Sequence, residues 1–249
     1  MTDCLINTIR KSKIPKVILR FIMMNFLDLK TIKNLLLTVK EMNVLDDYSK
    51  DLLAKAKKGF TWNCKNGHLT VAKWLYSRGG VNIHANEENA FRLSCEYGHL
   101  TVAKWLYSLT GVNIHAVNED AFAFACEKGH LAIAQWLYSL DEGMDRTDPY
   151  SLARTGQGGV NIHVDDEYAF RHCCENGHLA LAEWLYSLDR VNIHVHNEYA
   201  FRYCCENGHL TIAKWLYSLG VNIHVNNGCV FRCAKINVLN WLNSLSLNN

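Results

Sequence analysis

From about residue 59 onward, apolar positions recur in a fixed two-part pattern. In "LTVAKWLYSL", residues 100–109, Leu100, Val102, Ala103, Trp105 and Leu106 form one stripe at helical spacing, while Thr101 and Lys104 point elsewhere. A second amphipathic segment, "EENAFRLSCEY" at 87–97, precedes it across the pair Gly98-His99, and a loop at 110–117 follows. The pattern predicts helix, turn, helix, loop. Aligned on the Gly-His pair, the chain shows Gly67, Gly98, Gly129, Gly177 and Gly208, separated by 31, 31, 48 and 31 residues. The period is therefore 31, and one spacing carries 17 extra residues, 141–157. Residues 14–46 lack this repeat. There Ile18, Phe21 and Ile22 line one helical face, Leu29, Ile32, Leu35 and Leu36 line a second, and Val39 and Met42 continue it. Pro15 stands where the first turn of a helix tolerates it.

A helix of about ten residues is too short to hold alone, so each unit must bury its stripe against its neighbours. The spacing predicts one ladder of buried indoles, Trp74, Trp105, Trp136, Trp184 and Trp215. The glycine of each Gly-His pair falls where the preceding helix must end in a left-handed residue, so Gly98→Asn is expected to be milder than Gly98→Val. The last unit, 226–249, keeps Phe231 and Trp241 but exposes Asn237, Asn240 and Asn243, which suits a polar C-terminal cap. The extra segment, "DEGMDRTDPYSLARTGQ", is expected to be either a binding loop, with Arg146 and Tyr150 as its anchors, or a disordered tip.

Composition narrows the class of protein. The 249 residues are 49% hydrophobic with 2 prolines, which fits a mostly helical folded chain. Ten cysteines without framework spacing point to free thiols in a reducing, intracellular compartment. The run "VILRFIMMNFL" at 17–27 is interrupted by Arg20 and Asn25, so neither a signal peptide nor a membrane span is expected. Residues 1–58 hold 12 Lys+Arg against 6 Asp+Glu, and the remainder 14 against 18. Lys30, Lys33 and Lys40 alternate with apolar residues at helical spacing, which describes a solvated face rather than a nucleic-acid footprint.

The stretch "HCCENGH" at 172–178 looks like a metal or thiol site, but it is one copy of an element that returns as "YCCENGH" at 203–209 and, more loosely, at 62, 93 and 124. Small residues recur at the same two places, Ser94-Cys95, Ala125-Cys126, Cys173-Cys174 and Cys204-Cys205, so packing explains them and no metal or cofactor is expected. The turn histidines His68, His99, His130, His178 and His209 and the loop histidines His84, His115, His163, His194 and His224 recur once per unit, as scaffold hydrogen bonds do. No nucleophile, base and orienter converge, so no enzyme and no catalytic residue is expected.

The Gly-His-Leu turn, the apolar second helix and the "VNIHA" loop resemble the ankyrin repeat, and the wording "NEYAFRYCCENGHL" is similar to ankyrin proteins of giant DNA viruses. The resemblance covers about 59–249: five units and a degenerate sixth. It implies an all-α solenoid of helix-turn-helix-loop units that binds another protein in its concave groove, acting as a monomer in the host cytoplasm without nucleic acid or membrane. The family's Thr-Pro-Leu-His signature is replaced here by Asn89-Ala90-Phe91-Arg92 and its counterparts, so the hydrogen bonds of that Thr and His must be made differently or are lost. Five residues before each glycine stand Trp62, Leu93, Phe124, His172 and Tyr203, which either line the groove as partner-binding groups or pack between neighbouring helices. Glu87, Glu88, Glu119, Asp120, Asp165, Asp166 and Glu167 precede the first helices as an acidic rim, which favours a basic protein segment.

Residues 1–58 form a separate helical segment with two readings. Ile14, Pro15, Ile18, Ile22, Leu27, Asp28, Ile32, Leu35, Val39 and Lys40 resemble an F-box, although the Trp expected after Val39 is absent. That resemblance implies docking on the adaptor subunit of a cullin-RING ubiquitin ligase, with the repeats presenting a target. The plainer reading is an N-terminal cap on the solenoid.

Overall fold

The structure is a computed structural model that describes residues 59–77, 79–109, 111–140, 160–188 and 191–246. The F-box-like segment and the 141–157 insertion lie outside the described residues. Among those residues every regular element is an α-helix. In chain order these are α1 Phe60–Lys65, α2 Leu69–Ser77, α3 Ala85–Glu96, α4 Leu100–Ser108, α5 Ala116–Glu127 and α6 Leu131–Ser139. They continue with α7 Val164–Glu175, α8 Leu179–Leu188, α9 Val195–Asn207, α10 Leu210–Ser218, α11 Val225–Cys233 and α12 Ile236–Ser246. Each repeat contributes one pair, and the chain falls into two compact blocks, one ending at Ser94 but including Thr101–Thr110, the other comprising Cys95–Leu100 and Gly111 onward.

In the N-terminal block, Cys64, Ala72, Val102 and Ala103 are sealed, and Trp74 lies in the core at 6% exposure. Trp105 receives the edge of Phe60 with ring centres 6.1 Å apart and that of Tyr76 at 5.9 Å. In the C-terminal block the first helices α5, α7, α9 and α11 pack side by side, and α5, α7 and α9 each also pack on the second helix of their own repeat. Phe122, Phe170 and Phe201 are at most 1% exposed there, and each contributes about 1.5–3 kcal/mol by burial.

The indoles do not form the expected buried ladder. Trp184 and Trp215 are half-buried, each between a core phenylalanine and a tyrosine of the preceding second helix. Trp184 meets Phe122 at 6.4 Å and Tyr138 at 5.7 Å, while Trp215 meets Phe170 at 6.2 Å and Tyr186 at 5.8 Å. The phenylalanines, smaller and wholly apolar, take the sealed positions, and the indoles sit at the edge of the core.

The first helices begin later than their polar pattern predicts. Three consecutive residues in each of α3, α5, α7, α9 and α11 have positive φ: Asn86-Glu87-Glu88, Val117-Asn118-Glu119, Asp165-Asp166-Glu167, His196-Asn197-Glu198 and Asn226-Asn227-Gly228. L-residues enter this left-handed region at a cost of roughly 1–2 kcal/mol each, so the turn must be held by side chains.

Candidate functional site

Two sets of side chains hold the left-handed turn. An asparagine in each loop accepts from the backbone N–H two residues on, as Asn161 Oδ1 does from His163 N at 3.0 Å, forming an Asx turn. The loop histidine then donates from Nδ1 to the glutamate ending the turn: His115 to Glu119 at 2.7 Å, His163 to Glu167 at 2.9 Å and His194 to Glu198 at 2.9 Å. In the C-terminal block the same carboxylates reach the next loop, where Glu167 accepts from Asn192 N at 3.2 Å and Glu198 from Asn222 N at 3.1 Å.

This corrects the acidic rim. Glu88, Glu119 and Glu167 are buried at 6%, 7% and 6% exposure and engaged in these bonds, and only Glu87, Asp165 and Asp166 are exposed, with Asp120 half-buried. The internal donors to each carboxylate replace part of the water it loses on burial.

An arginine grips the turn from the other side. Arg171 donates from Nε to Asp166 O and from Nη2 to Asp165 O, both at 2.8 Å, and Arg202 does the same to Asn197 O at 2.8 Å and His196 O at 3.1 Å. In the N-terminal block Arg92 reaches Glu87 O and Asn86 O.

The five expected groove residues fall into different surroundings. In the N-terminal block Trp62 is 36% exposed and tilted against His68 with ring centres 5.4 Å apart, and Leu93 is half-buried. In the C-terminal block Phe124, His172 and Tyr203 are half-buried and interleaved with two tyrosines, Tyr168 and Tyr199, that sequence reasoning missed. Ring centres run Phe124 to Tyr168 at 6.3 Å, Tyr168 to His172 at 4.1 Å, His172 to Tyr199 at 5.6 Å and Tyr199 to Tyr203 at 4.2 Å. The available signal was their position four residues before His172 and Tyr203, which places them on the same helical face.

Carboxylates fix the polar ends of this strip. Tyr168 donates to Glu127 at 2.7 Å, Tyr199 to Glu175 at 2.9 Å, and His172 Nδ1 lies 2.8 Å from Glu175. Burial, then the bond to its carboxylate, pushes each tyrosine hydroxyl well above the usual phenol range. Burial would raise Glu127, but the hydrogen bonds from Lys128 and Tyr168 outweigh it and hold that carboxyl below its ordinary value. Arg171 lies 4.7 Å from the Tyr199 ring centre and Arg202 lies 5.3 Å from that of Tyr203. The arrangement fixes aromatic faces in place and offers no activated nucleophile.

Seven of the cysteines sit at the helix-packing positions. Cys64, Cys95, Cys126, Cys173, Cys174, Cys204 and Cys205 are fully buried, and burial pushes Cys64 up to about 12. Cys173 and Cys204 donate to the carbonyls of Phe170 at 3.1 Å and Phe201 at 3.2 Å. Such thiols behave as small hydrophobes. Among the described residues no three His, Cys, Asp or Glu side chains are placed to hold a metal ion, and no helix is long and apolar enough to cross a membrane.

Comparison with known proteins agrees with this architecture. The family model for ankyrin repeats matches residues 60–148 in three copies. The ankyrin repeat domain of human ASB11 superposes with a TM-score of 0.53 at 20% identity, over 74% of this chain and 82% of that one, a likeness of fold alone. No curated protein sequence matches the chain. Residues 60–148 thus match the ankyrin-repeat family, and the described helix pairs, all of them α-helical, have the ankyrin fold, whose repeats generally mediate protein–protein interaction.

Proposed function

We propose that the chain is a non-catalytic interaction adaptor whose first-helix strip, Phe124, Tyr168, His172, Tyr199 and Tyr203, receives a segment of another protein, host or viral. The observation that carries this reading is the strip itself: aromatic faces half open to solvent, with the Tyr168 and Tyr199 hydroxyls and the His172 ring already bonded to the array's own glutamates. A partner can therefore cover the rings without stranding those polar groups, and little side-chain freedom is lost on binding. His172→Ala and Tyr203→Ala are expected to abolish recovery of a bound protein by affinity purification while the melting temperature moves by only a few degrees. Recovery unchanged in both variants would remove the strip from the interaction.

The adaptor role extends to residues 14–46, whose F-box-like pattern supports docking on the adaptor subunit of a cullin-RING ligase. The test is co-purification with that subunit, comparing the native chain with Ile18→Asp and with a chain beginning at Ala54. Binding lost in both, with melting retained in the first, supports the ligase reading. The missing Trp after Val39 favours the second reading, an ankyrin scaffold capped by residues 1–58, and absence of binding by the native chain, with cooperative destabilisation on truncation, would establish it.

A further inference from the structure

Four of the left-handed turns carry an arginine six residues after their first residue: Arg92, Arg171, Arg202 and Arg232. Each donates to carbonyls of its own turn, and Arg171 also lies over Tyr199 of the next repeat. The third repeat has the same backbone, with φ of 54° at Val117, 55° at Asn118 and 66° at Glu119, but the residue at the arginine position is Ala123. Among the described residues no side chain donates to the carbonyl of Val117 or Asn118. Val117 is moreover β-branched, the residue shape that tolerates the left-handed region worst, and it is 41% exposed.

Resting on the interaction reading above, we propose that the third repeat takes from its partner the arginine that its neighbours supply themselves: a guanidinium on an extended segment of the bound protein caps Val117 O and Asn118 O and lies against Tyr168.

Three features make the site specific for that group. Two carbonyls on successive residues match two N–H groups of a planar fork, as Asp165 and Asp166 do for Arg171, whereas a lysine ammonium is a point charge without that geometry. Tyr168 stands 31 residues before Tyr199, one period, so it faces the third repeat as Tyr199 faces the fourth, and Glu127 holds its hydroxyl at 2.7 Å. The surroundings are anionic, with Asp120 three residues before Ala123 and Asp165 accepting from Asn118 Nδ2 at 3.0 Å. Ala123 itself is only 8% exposed, so the guanidinium enters from the solvent side of the turn, where Val117 and Asn118 are exposed.

The test uses the full chain labelled for amide NMR and three capped tripeptides, acetyl-Leu-X-Leu-amide, with X as arginine, lysine or citrulline. The arginine peptide is expected to shift the amides of residues 117–124 and 168 saturably, at least fivefold more tightly than the lysine peptide, with no response to citrulline. In Ala123→Arg the response should vanish and the melting temperature should rise, because the chain then fills its own site. Equal lysine and arginine affinities, or shifts outside 117–124 and 168, would overturn the proposal on the native chain alone, whether or not the variant folds. If the arginine response is absent while His172→Ala and Tyr203→Ala still abolish capture of a partner, the guanidinium inference fails and the interaction reading stands.

Discussion

Gly129 has φ +80°, and a Cβ placed on it would stand 2.5 Å from the ring of His178; at Gly98 the corresponding contact is 2.7 Å from His130. Gly98, Gly129 and Gly177 are thus constrained twice, by the left-handed backbone and by a histidine from the following repeat. Asn and Val alike bring a Cβ against the imidazole, so any advantage of Asn rests on the backbone part of the cost, which is heavier for a β-branched residue in the left-handed region. Gly129→Ala is expected to cost about 2–4 kcal/mol in a denaturant titration, combining backbone strain with overpacking. Adding His178→Ala should recover the steric part, and no recovery would show that the backbone alone sets the cost. The same histidine gives the protein a pH response. Burial lowers the affinity of His178 for a proton, against its bond of 3.1 Å to Glu127 O and with the help of neighbouring His130 and His209. Burial lowers His130 likewise. The unfolded chain, near the ordinary 6.5, takes the proton before the folded one. Stability from these groups is complete above that pH and falls as the pH drops through it toward the lowered folded values. Melting temperature plotted from pH 7.5 to 5 should fall less steeply in His178→Gln than in the native chain.

At the scale of the element, the second helices were readable because their stripe needs nothing beyond its own spacing, and α4 begins at Leu100 as the pattern predicts. The first helices were legible in place but not in form. Glu87, Asp165 and Asp166 suggest the acidic first turn of an ordinary helix, whereas their backbone is left-handed and held by residues on both sides. Arg171→Met, which keeps an unbranched apolar stem but removes both donors, is expected to cost about 1–3 kcal/mol through the two turn carbonyls it leaves. A change within experimental error would mean that water replaces the fork at no cost. The strip of rings was half legible: the period isolated Phe124, His172 and Tyr203, but their contacts with Tyr168 and Tyr199 depend on how neighbouring first helices pack.

At the scale of the whole molecule, a repeat array is stable only when each apolar face is covered by the next pair. In the C-terminal block the final pair supplies Val230, Val238 and Leu242, all at 0% exposure, and its Lys235 N bonds to Cys205 O at 3.1 Å. Ending the chain at Gly220 should lower stability by more than about 4 kcal/mol, from three lost side-chain burials, and expose the faces around Phe201 and Leu216. A truncated chain with an unchanged denaturant midpoint would show that the fifth repeat is self-capping. Taken alone, the sequence determined the 31-residue period, the helix pairs, the small residues at the packing positions and the polar last helix, because each is a local pattern that repetition amplifies. Tertiary structure alone decided that Glu119 and Glu167 turn inward, that phenylalanine rather than tryptophan fills the core, and that the turn histidines meet glycines. Those outcomes depend in part on partners from other repeats, as between Glu198 and Asn222 or Glu127 and His178, and no local spacing encodes which side chain arrives there.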